Sequence, residues 1–280
     1  MKLGRYFSRI GYRGDTRPTV STLASLLRRH ACSVPFENID VQMGRSLTID
    51  VEDAFEKIVE RGRGGWCYEQ NGLFGWALSE MGFDVMRVAG AVRRDERGDA
   101  ALNNHLCLLV REPGAGKPAY LADAGFGGSM TAPIELTESG HTQPPYRIGL
   151  RFVEERYWRL SEESADGKSN YEFVVKPADE AALAAKSEQL QNDPQSGFVQ
   201  TLVVQKRLPD AHVCLRGRVL ATTTATGKQS ALLESAEDLA ATVSELCGLE
   251  IPGVAELWPK VMARHEQWSL QLELPHEALS

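Results

Sequence analysis

Cys67 and the residues around it have the clearest chemical potential in this 280-residue chain. Cys67 follows the pair Gly64-Gly65, and the pattern from Cys67 to Glu80 predicts a helix that ends near Gly82. A cysteine in the first turn of a helix faces backbone N–H groups without partners and the positive end of the helix dipole, which both favour the thiolate. Because glycine takes positive φ at no steric cost, the pair predicts a tight turn. The segment therefore predicts a reactive sulfur surrounded by backbone donors.

A cysteine nucleophile also needs an imidazole within hydrogen-bond reach and an acceptor that orients the imidazole. His105 opens a strong β-like segment, and Asp123 ends the next one, just before the glycine-rich loop Ala124–Gly128. Adjacent antiparallel strands can bring the two side chains together beside the Cys67 helix. A helical cysteine followed by strands carrying His and then Asp is the order expected for a transglutaminase-like core.

Helical patterns account for most of the first eighty residues. Thr19 can cap a helix with apolar residues at helical spacing over Val20–Ala31, and Asp50 can cap another over Val51–Val59. Pro35 enforces a break between the two. The cysteine begins the third predicted helix.

After Gly82 the pattern changes to short β-like runs separated by turn-rich segments, which predict an antiparallel sheet or barrel. The predicted strands are Val85–Val92, His105–Val110, Tyr120–Asp123, Tyr146–Val153, Tyr157–Leu160 and Tyr171–Val175. The polar stretch Lys186–Gly197 is the predicted linker to a last region. That region is predicted to hold strands at Phe198–Gln205 and His212–Leu220 and a helix at Ala236–Cys247.

Composition and charge limit the function classes. The formal net charge of −7 argues against a nucleic-acid partner, whose phosphates require a basic face. The N-terminal residues lack the apolar core of a signal peptide, and the longest clean apolar run, Leu106–Val110, is far too short to cross a membrane. The five cysteines are odd in number and widely spaced, which favours reduced thiols. We therefore expect a cytoplasmic protein without a membrane partner.

Several segments together resemble the signatures of the arylamine N-acetyltransferase family of bacterial type. The densest match is Arg63–Gly72, with the sequence RGGWCYEQNG. The other matching segments are Arg9–Tyr12, Pro18-Thr19, Val34–Asp40, His105, Leu121–Gly128 and Asp193–Phe198. The resemblance is dense over residues 1–150 and thinner afterwards, and the order of the motifs makes it specific.

The resemblance implies an α+β fold with a transglutaminase- or cysteine-protease-like catalytic core in three domains. A helical bundle over residues 1–83 is expected to carry the catalytic cysteine. A central antiparallel β-barrel over residues 84–190 is expected to carry the histidine and the aspartate. A C-terminal α/β lid is expected over residues 191–280.

The resemblance also implies a catalytic triad of Cys67, His105 and Asp123, with acetyl-coenzyme A as co-substrate and no metal. The expected reaction is a ping-pong transfer, in which Cys67 takes the acetyl group as a thioester and passes it to a small-molecule arylamine or arylhydrazine. Such a transfer serves xenobiotic metabolism. The resemblance does not decide the physiological acceptor, and a homo-oligomer is left open.

Pocket residues follow from the same resemblance. Three phenylalanines correspond to those that hold the acceptor ring in the family, namely Phe36, Phe126 and Phe198. The residues expected at the coenzyme are Asn104, Gly125 and Gly127. Five further residues are basic, namely Lys206, Arg207, Arg216, Arg218 and Lys228. They either contact the coenzyme phosphates or form a solvated face, and the solvated face is the favoured interpretation.

Other polar residues near the motifs are expected to be structural. Arg63 and Glu37 are predicted to form an ion pair or hydrogen-bond network behind the site. Glu69 is predicted to orient the helix start or the imidazole. Cys107 shares strand parity with His105, but a core thiol is the favoured interpretation.

Two other enzymatic functions stay open from the sequence. An amide synthase that releases a polyketide by ring closure onto an aryl amine would keep the same triad. A transglutaminase-like cysteine hydrolase would cleave amides without coenzyme A. A non-enzymatic interaction protein is disfavoured, because all three triad residues are present.

Overall fold

The computed structural model of the protein describes residues 1–114, 116–117 and 119–273. The α-helices in these residues are α1 (Leu3–Ile10), α2 (Val20–Ser33), α3 (Ile39–Gln42), α4 (Val51–Phe55), α5 (Cys67–Glu80), α6 (Arg94–Arg97), α7 (Glu180–Asn192), α8 (Gly197–Gln200), α9 (Ala236–Cys247) and α10 (Trp258–Glu273). A π-helical turn covers Glu56–Glu60, and 3-10 turns cover Gly98–Ala101 and Ala255–Leu257. Residues 274–280, the end of the third predicted domain, lie outside the described residues.

The strands form two antiparallel sheets. Those of the larger sheet are β2 (Asp84–Val92), β3 (His105–Arg111), β4 (Tyr120–Ala122), β5 (Ile134–Glu135), β6 (Ser139–Gln143), β7 (Tyr146–Val153), β8 (Tyr157–Ser164) and β9 (Gly167–Phe173). Those of the smaller sheet are β1 (Phe36–Glu37), β10 (Val203–Arg207), β11 (Ala211–Arg216), β12 (Val219–Thr224) and β13 (Gly227–Leu232).

The three helices predicted for the first eighty residues are confirmed. The hydroxyl of Thr19 caps α2 and accepts a hydrogen bond from the backbone N–H of Thr22 at 3.3 Å. The carboxylate of Asp50 caps α4 and accepts from the backbone N–H of Glu52 at 2.7 Å. Helix α4 continues into the π-helical turn, where the side chain of Lys57 is buried. The predicted helix is therefore present, but its last turn is wider than an α-helix.

The turn before α5 needs its two glycines for a reason other than the predicted one. The positive φ of +70° is at Gly62, not at Gly64 or Gly65. A Cβ atom at Gly64 would lie 2.3 Å from the carbonyl oxygen of Pro35, and one at Gly65 would lie 3.0 Å from the carboxylate of Glu69. The pair is therefore required by close packing around the backbone, and the prediction from backbone freedom was wrong.

The eight-stranded sheet has the order β5-β4-β3-β2-β9-β8-β7-β6 and curls into a half-barrel. The predicted antiparallel sheet is thus confirmed, but within the described residues its two edge strands, β5 and β6, do not pair to close a barrel. The largest apolar cluster packs α5 against β2 and β3, with residues such as Leu73, Phe74 and Leu108 fully buried. The first residue of α5 is thereby held at one end of this sheet.

The five-stranded sheet has the order β1-β10-β11-β12-β13 and draws its first strand from the N-terminal region. The single strand predicted at Phe198–Gln205 was wrong, because Ser196 caps α8 and the strand begins only at Val203. The strand predicted at His212–Leu220 is a hairpin that turns at Gly217, whose φ is +59°. This sheet packs beneath α9, which the sequence predicted with its cap and its terminating glycine.

The predicted linker at Lys186–Gly197 is mostly helical. Helix α7 covers this stretch as far as Asn192, and Asp179 caps it. Leu183 and Ser187 bury one narrow side of the helix, while its other residues stay polar. Because this packing needs so few apolar residues, the stretch Lys186–Gly197 is polar enough in sequence to resemble a linker. None of the helices in the described part of the chain combines the length and the apolar character that crossing a membrane requires.

Candidate active site

Cys67 lies at the first position of α5, in the wall of a cleft. The cleft has a volume of about 720 Å³ and is lined by residues of both sheets. The residue is 3% exposed. The backbone of Gly125 packs directly on it, since a Cβ atom at Gly125 would lie 2.8 Å from the Cα atom of Cys67. The loop after β4 therefore closes over the start of α5, and only glycine fits there.

His105 and Asp123 form a buried pair beside Cys67. β3 begins at His105, and its antiparallel neighbour β4 ends one residue before Asp123, so the pairing of the strands puts the two side chains at the same end of the sheet. The Nε2 atom of His105 lies 2.7 Å from Oδ2 of Asp123, and both residues are 1% exposed. The adjacency expected from the sequence is therefore present.

The charges of this pair stabilise each other. Burial lowers the pKa of His105, but the charge and hydrogen bond of Asp123, followed by those of Cys67, raise it to about 10. Burial raises the pKa of Asp123, but His105, Asn71 and the backbone of Gly125 hold it below its usual value. His105 is therefore an imidazolium at neutral pH. Because Nε2 is used by Asp123, Nδ1 is the ring nitrogen left for the thiol.

Asn71 connects Asp123 to α5, and the sequence reasoning missed it. Its Nδ2 donates to Oδ1 of Asp123 at 2.7 Å and to the carbonyl of Leu106 at 2.6 Å. Its Oδ1 accepts from the backbone N–H of Ala124 at 2.9 Å. The signal was its position four residues after Cys67, which places both side chains on one face of the helix.

Phe36 and Phe198 line one side of the cleft, as expected for an aromatic pocket. Their ring centroids are 6.4 Å apart, and that of Phe198 is 5.4 Å from the ring of Trp66. Phe36 belongs to β1 and Phe198 to α8, so the smaller sheet and the helix before it complete this wall.

Phe126 and Tyr171 form the aromatic wall behind the imidazole. The ring centroid of His105 lies 5.4 Å from Phe126 and 4.8 Å from Tyr171, and the two aromatic rings are 4.9 Å apart. Tyr171 was not predicted as a site residue, because its place in β9 gives no local signal. The structure thus brings all three predicted phenylalanines to one cleft.

Behind the first turn of α5 lies a group of buried ionised side chains, here called the charge cluster and formed by Glu37, Asp40, Lys57, Arg63 and Glu69. Arg63 donates to Glu37 at 2.8 Å, which confirms the predicted ion pair. Lys57 lies 3.0 Å from both Asp40 and Glu69. Burial lowers the pKa of Lys57, but the three carboxylates raise it above its usual value. Lys57 could not be predicted from the sequence, because a lysine on a helix is normally exposed.

Glu69 connects the charge cluster to the start of α5. Its Oε2 accepts a hydrogen bond from the backbone N–H of Trp66 at 3.1 Å, one residue before Cys67. Glu37 acts similarly on the neighbouring segment, since its Oε2 accepts from the backbone N–H of Ile39 at 2.8 Å. The cluster therefore positions the backbone on which Cys67 lies, and Glu69 orients the helix and not the imidazole.

His212 holds the loop Ala124–Gly128 from the smaller sheet. Its Nε2 donates to the carbonyl of Gly127 at 2.9 Å, and the hydroxyl of Tyr146 donates to its Nδ1 at 2.8 Å. Burial lowers the pKa of His212 to about 4, so the ring is neutral and these roles are compatible. Gly127 has a φ of +63°, and a Cβ atom there would lie 2.5 Å from the side-chain oxygen of Gln205. The smaller sheet therefore fixes the loop, and Tyr146 of the larger sheet orients His212.

The chain matches known proteins over nearly its whole length. A family model described as N-acetyltransferase matches residues 19–255. An arylamine N-acetyltransferase of Mycolicibacterium smegmatis is 35% identical over 263 residues, which cover 91% of this chain and 94% of the relative. One of Mycobacterium tuberculosis is 36% identical over 267 residues, with 91% and 92% covered. The chain belongs to the arylamine N-acetyltransferase family. It is therefore an acyltransferase.

Solved arylamine N-acetyltransferases have the same mixed helix and sheet fold. The M. smegmatis structure superposes with a TM-score of 0.84 at 33% identity and covers 93% of this chain and 97% of that one. A Mycobacterium marinum arylamine N-acetyltransferase solved in complex with CoA superposes with a TM-score of 0.83 at 32% identity, with 95% and 99% covered.

Of the residues that the family resemblance suggests for the coenzyme, Asn104 is already engaged. Its Oδ1 accepts from the backbone N–H of Val92 at 2.7 Å, and its Nδ2 donates to the carbonyl of Val92 at 3.2 Å. Asn104 therefore ties β2 to the start of β3 at the edge of the cleft. A contact between Asn104 and the coenzyme stays a prediction, as do contacts with Gly125 and Gly127.

The basic residues at the cleft of this acetyltransferase family member are mostly not the predicted ones. Of the five named from the sequence, only Arg216 lines the cleft. Arg207 is 1% exposed and donates to the carbonyls of Ala211 and Gln143. Lys228 forms an ion pair with Asp166. The other basic residues that line the cleft were missed, because they come from three segments that are far apart in sequence. They are Arg93, Arg97, Lys168 and Arg264.

Cys107 belongs to the core and not to the cleft. It is fully buried, and its Sγ donates to the carbonyl of Val88 at 3.6 Å. Burial raises the pKa of its thiol well above the usual value. The predicted core thiol is confirmed, so Cys67 is the only cysteine that lines the cleft among the described residues.

Proposed function

We propose that this family member transfers acetyl from acetyl-CoA to arylamines or arylhydrazines through a thioester on Cys67. The observation that carries the proposal is the buried pair of His105 and Asp123, which lies beside Cys67 in the wall of an aromatic cleft. The carboxylate of Asp123 raises the pKa of His105, which favours the imidazolium that the reaction needs. The names of the relatives and the CoA complex of the M. marinum protein support the same donor and acceptors. A cysteine at a helix start, beside a histidine at a strand start and an aspartate just after the next strand, also supports a transglutaminase-like catalytic core.

The first half-reaction transfers the acetyl group to the enzyme. The Cys67 thiolate attacks the acetyl carbonyl carbon, a new C–S bond forms, and the bond from the acetyl group to the coenzyme sulfur breaks. The leaving thiolate takes the proton of the His105 imidazolium. The backbone N–H of Cys67 at the helix start is placed to stabilise the oxyanion, and one such donor contributes about 3 kcal/mol. Because one thioester replaces another, this step is nearly balanced in energy.

The second half-reaction discharges the acetyl-enzyme. The nitrogen of the arylamine attacks the thioester carbonyl, and the now neutral His105 takes the amine proton at Nδ1 as Cys67 leaves as a thiolate. Asp123 stabilises the imidazolium that forms again. Aromatic amines suit this step, because they are weak bases whose conjugate acids lose the proton readily, so the amines are neutral nucleophiles at pH 7. The pocket of Phe36, Phe126 and Phe198 would hold their rings.

The basic residues along the cleft support an anionic donor. Arg93, Arg97, Arg216 and Arg264 line the cleft although the chain as a whole carries a net charge of −7. We assign them to the coenzyme phosphates, because local positive charge is needed to attract phosphate to an acidic protein. We place the reaction in the cytoplasm and in xenobiotic metabolism, and the free cysteines of the described chain are compatible with that compartment.

Intact-protein mass spectrometry tests the proposal. Brief incubation with acetyl-CoA is expected to add one acetyl group to the protein, and the neutral arylamine 4-methylaniline is expected to remove it. The variant Cys67→Ala should gain none, whereas Cys32→Ala, which removes a partly exposed thiol outside the cleft, should behave like the native protein. If the native protein gains no acetyl group while Cys67 still reacts with iodoacetamide, the acetyl donor is wrong. Turnover of aryl amides or polyketide thioesters would then support the hydrolase or the amide synthase.

A further inference from the structure

Glu162 faces the cleft from the larger sheet, and the proposed reaction does not use it. It lies on β8, two residues after Leu160, so the two side chains point to the same face. Leu160 pairs with Tyr171, whose ring contacts His105. Glu162 lines the same cleft as Cys67 and His105. Its carboxylate therefore lies on the concave side of the half-barrel, where the reaction is proposed to occur.

One oxygen of this carboxylate lacks a protein partner. The Oε2 atom of Glu162 is buried and has no hydrogen-bond partner of good geometry among the residues that the structure describes. The hydroxyl of Ser129, which also lacks such a partner, is the nearby protein donor that lowers the pKa of Glu162. By contrast, the buried carboxylates of Asp123, Glu37 and Glu69 all have hydrogen-bond donors. Leaving a buried acceptor without a donor is unfavourable, and more so when the acceptor is charged. An acceptor of this kind inside a substrate cleft is suited to a ligand that brings its own donor.

The surroundings of Glu162 favour neither charge state strongly at neutral pH. Burial raises its pKa to about 7, with Ser129 lowering it, Asp123 raising it, and His105 and Arg207 lowering it. The titratable and charged groups that face it from other elements are His105, Asp123, Tyr146, Tyr171 and Arg207. Its proton can therefore be present or absent under conditions in which the enzyme is assayed.

We propose that Glu162 is a specificity-determining residue that accepts a hydrogen bond from a donor group on the aromatic acceptor, such as a ring hydroxyl, a second amine or a hydrazide N–H. The assignment rests on the proposed acetyl transfer, in which the acceptor ring lies between the phenylalanines of this cleft. The same carboxylate repels acceptors that carry a carboxylate on the ring. The cleft therefore selects acceptors by the group remote from the reacting nitrogen.

The test measures discharge of the acetyl-enzyme after the coenzyme has been removed, so that the donor cannot contribute. Three acceptors differ only at the ring position opposite the amine: 4-aminophenol offers a donor, 4-methylaniline is neutral, and 4-aminobenzoate is an anion. In Glu162→Gln the ratio of the discharge rates of 4-aminophenol and 4-aminobenzoate should fall about tenfold, because an amide donates to the carboxylate that Glu162 repels. Glu163→Gln is the matched control, since it is exposed on the opposite face of β8, and should leave the ratio unchanged.

The pH dependence gives a second readout. Below pH 7 a protonated Glu162 can donate to 4-aminobenzoate, whereas above it the carboxylate repels this acceptor. The ratio for the native enzyme should therefore rise from pH 6 to pH 8, and in Glu162→Gln it should be flat. In Glu162→Leu the preference for 4-aminophenol over 4-methylaniline should disappear.

The outcomes separate this assignment from the proposed function. If the native protein forms no acetyl-enzyme, the proposed function fails. If acetyl-enzyme forms and discharges but Glu162→Gln leaves the acceptor ratio unchanged, the assignment of Glu162 is overturned. A variant that forms acetyl-enzyme more slowly with an unchanged ratio would overturn it as well, because Glu162 would then act on the donor. Full acetylation of each variant at Cys67 confirms that it is folded.

Discussion

Two groups of buried charges meet at the first turn of α5, and they differ in what their charges face. In the charge cluster, Lys57 and Arg63 lie between three carboxylates and are closed off by protein on all sides. The pair of His105 and Asp123 is equally buried, but its imidazole faces the cleft and the thiol of Cys67. The first group uses its charges to fix backbone, whereas the second keeps one charged nitrogen available to a reactant.

This difference shows how similar burial serves two purposes. A buried charge with protein partners fixes a geometry, because moving any partner exposes an uncompensated charge. A buried charged group that faces a substrate cleft on one side is suited to proton transfer, because its pKa depends on the molecule that occupies the cleft. Cys67 lies between the two groups. The charge cluster holds the backbone of its helix start, and the pair faces its thiol.

The largest expected effect comes from removing the imidazole. In His105→Gln the rate of acetyl-enzyme formation should fall by at least about a thousandfold, because the thiolate loses its counter-ion and the leaving group loses its acid. Stopped-flow or quenched mass spectrometry measures this rate. His141→Gln removes an exposed histidine on β6 and should keep the native rate. A loss of less than tenfold in His105→Gln would contradict the role of the pair.

A large effect on stability is expected from the charge cluster. Lys57→Met leaves the three carboxylates with Arg63 as their buried cation and the half-exposed Arg45 beside Asp40, and the free energy of unfolding should fall by about 3–5 kcal/mol. Urea denaturation measures the loss, and Lys176→Met, at an exposed lysine, is the control. If Lys57→Met is as stable as the native protein but slow in acetylation, the cluster acts on chemistry, and the comparison with the pair breaks down.

Asn71→Ala should have an intermediate effect, because it removes a bridge between α5 and Asp123. The substitution takes away hydrogen bonds to Asp123, Leu106 and Ala124 and should cost about 1–3 kcal/mol of stability. The acetylation rate should fall with it, since Asp123 loses a donor that keeps it ionised. Denaturation and acetylation measured together decide the point, and an unchanged rate would show that His105 alone orients Asp123.

The smallest effect, counted per pH unit, is the pH dependence of stability. The pKa of His105 in the folded protein is about 10, above its ordinary value of 6.5, so its contribution is complete below pH 6.5 and is lost as the pH rises to 10. The slope from this group is at most about 1.4 kcal/mol per pH unit. Denaturation of the native protein and of Asp123→Asn over this window measures the difference. Equal slopes in both proteins would show that Asp123 does not hold the imidazolium.

Much of the fold was readable from local patterns. Caps and apolar spacing predicted α2, α4, α5 and α9 correctly, and most strands of the larger sheet were found within a few residues. The errors lie where distant contacts decide the structure. Part of helix α7 was predicted to be a linker, because few of its residues are apolar. Helix α8 was predicted to be strand, because its apolar residues continue into β10, whereas the Ser196 cap makes the segment helical.

The candidate site shows the same division. Cys67, His105 and Asp123 could be named from motifs, because each is marked by its neighbours in sequence. Lys57 and Glu162 could not, since each is a common surface residue type whose burial results from elements far away in the chain. The cause assigned to Gly64 and Gly65 was also wrong, because contact with Pro35 and Glu69 is not a local property.

The sequence by itself determined the helix start at Cys67, the strands that carry His105 and Asp123, and membership in the acetyltransferase family. These depend on capping, periodicity and short motifs, which act over a few residues. Only the tertiary structure decided which side chains surround the sulfur of Cys67, which charges are buried behind it, and that Glu162 faces the cleft. Those outcomes depend on burial and on pairing between distant strands, and neither is encoded in any single segment.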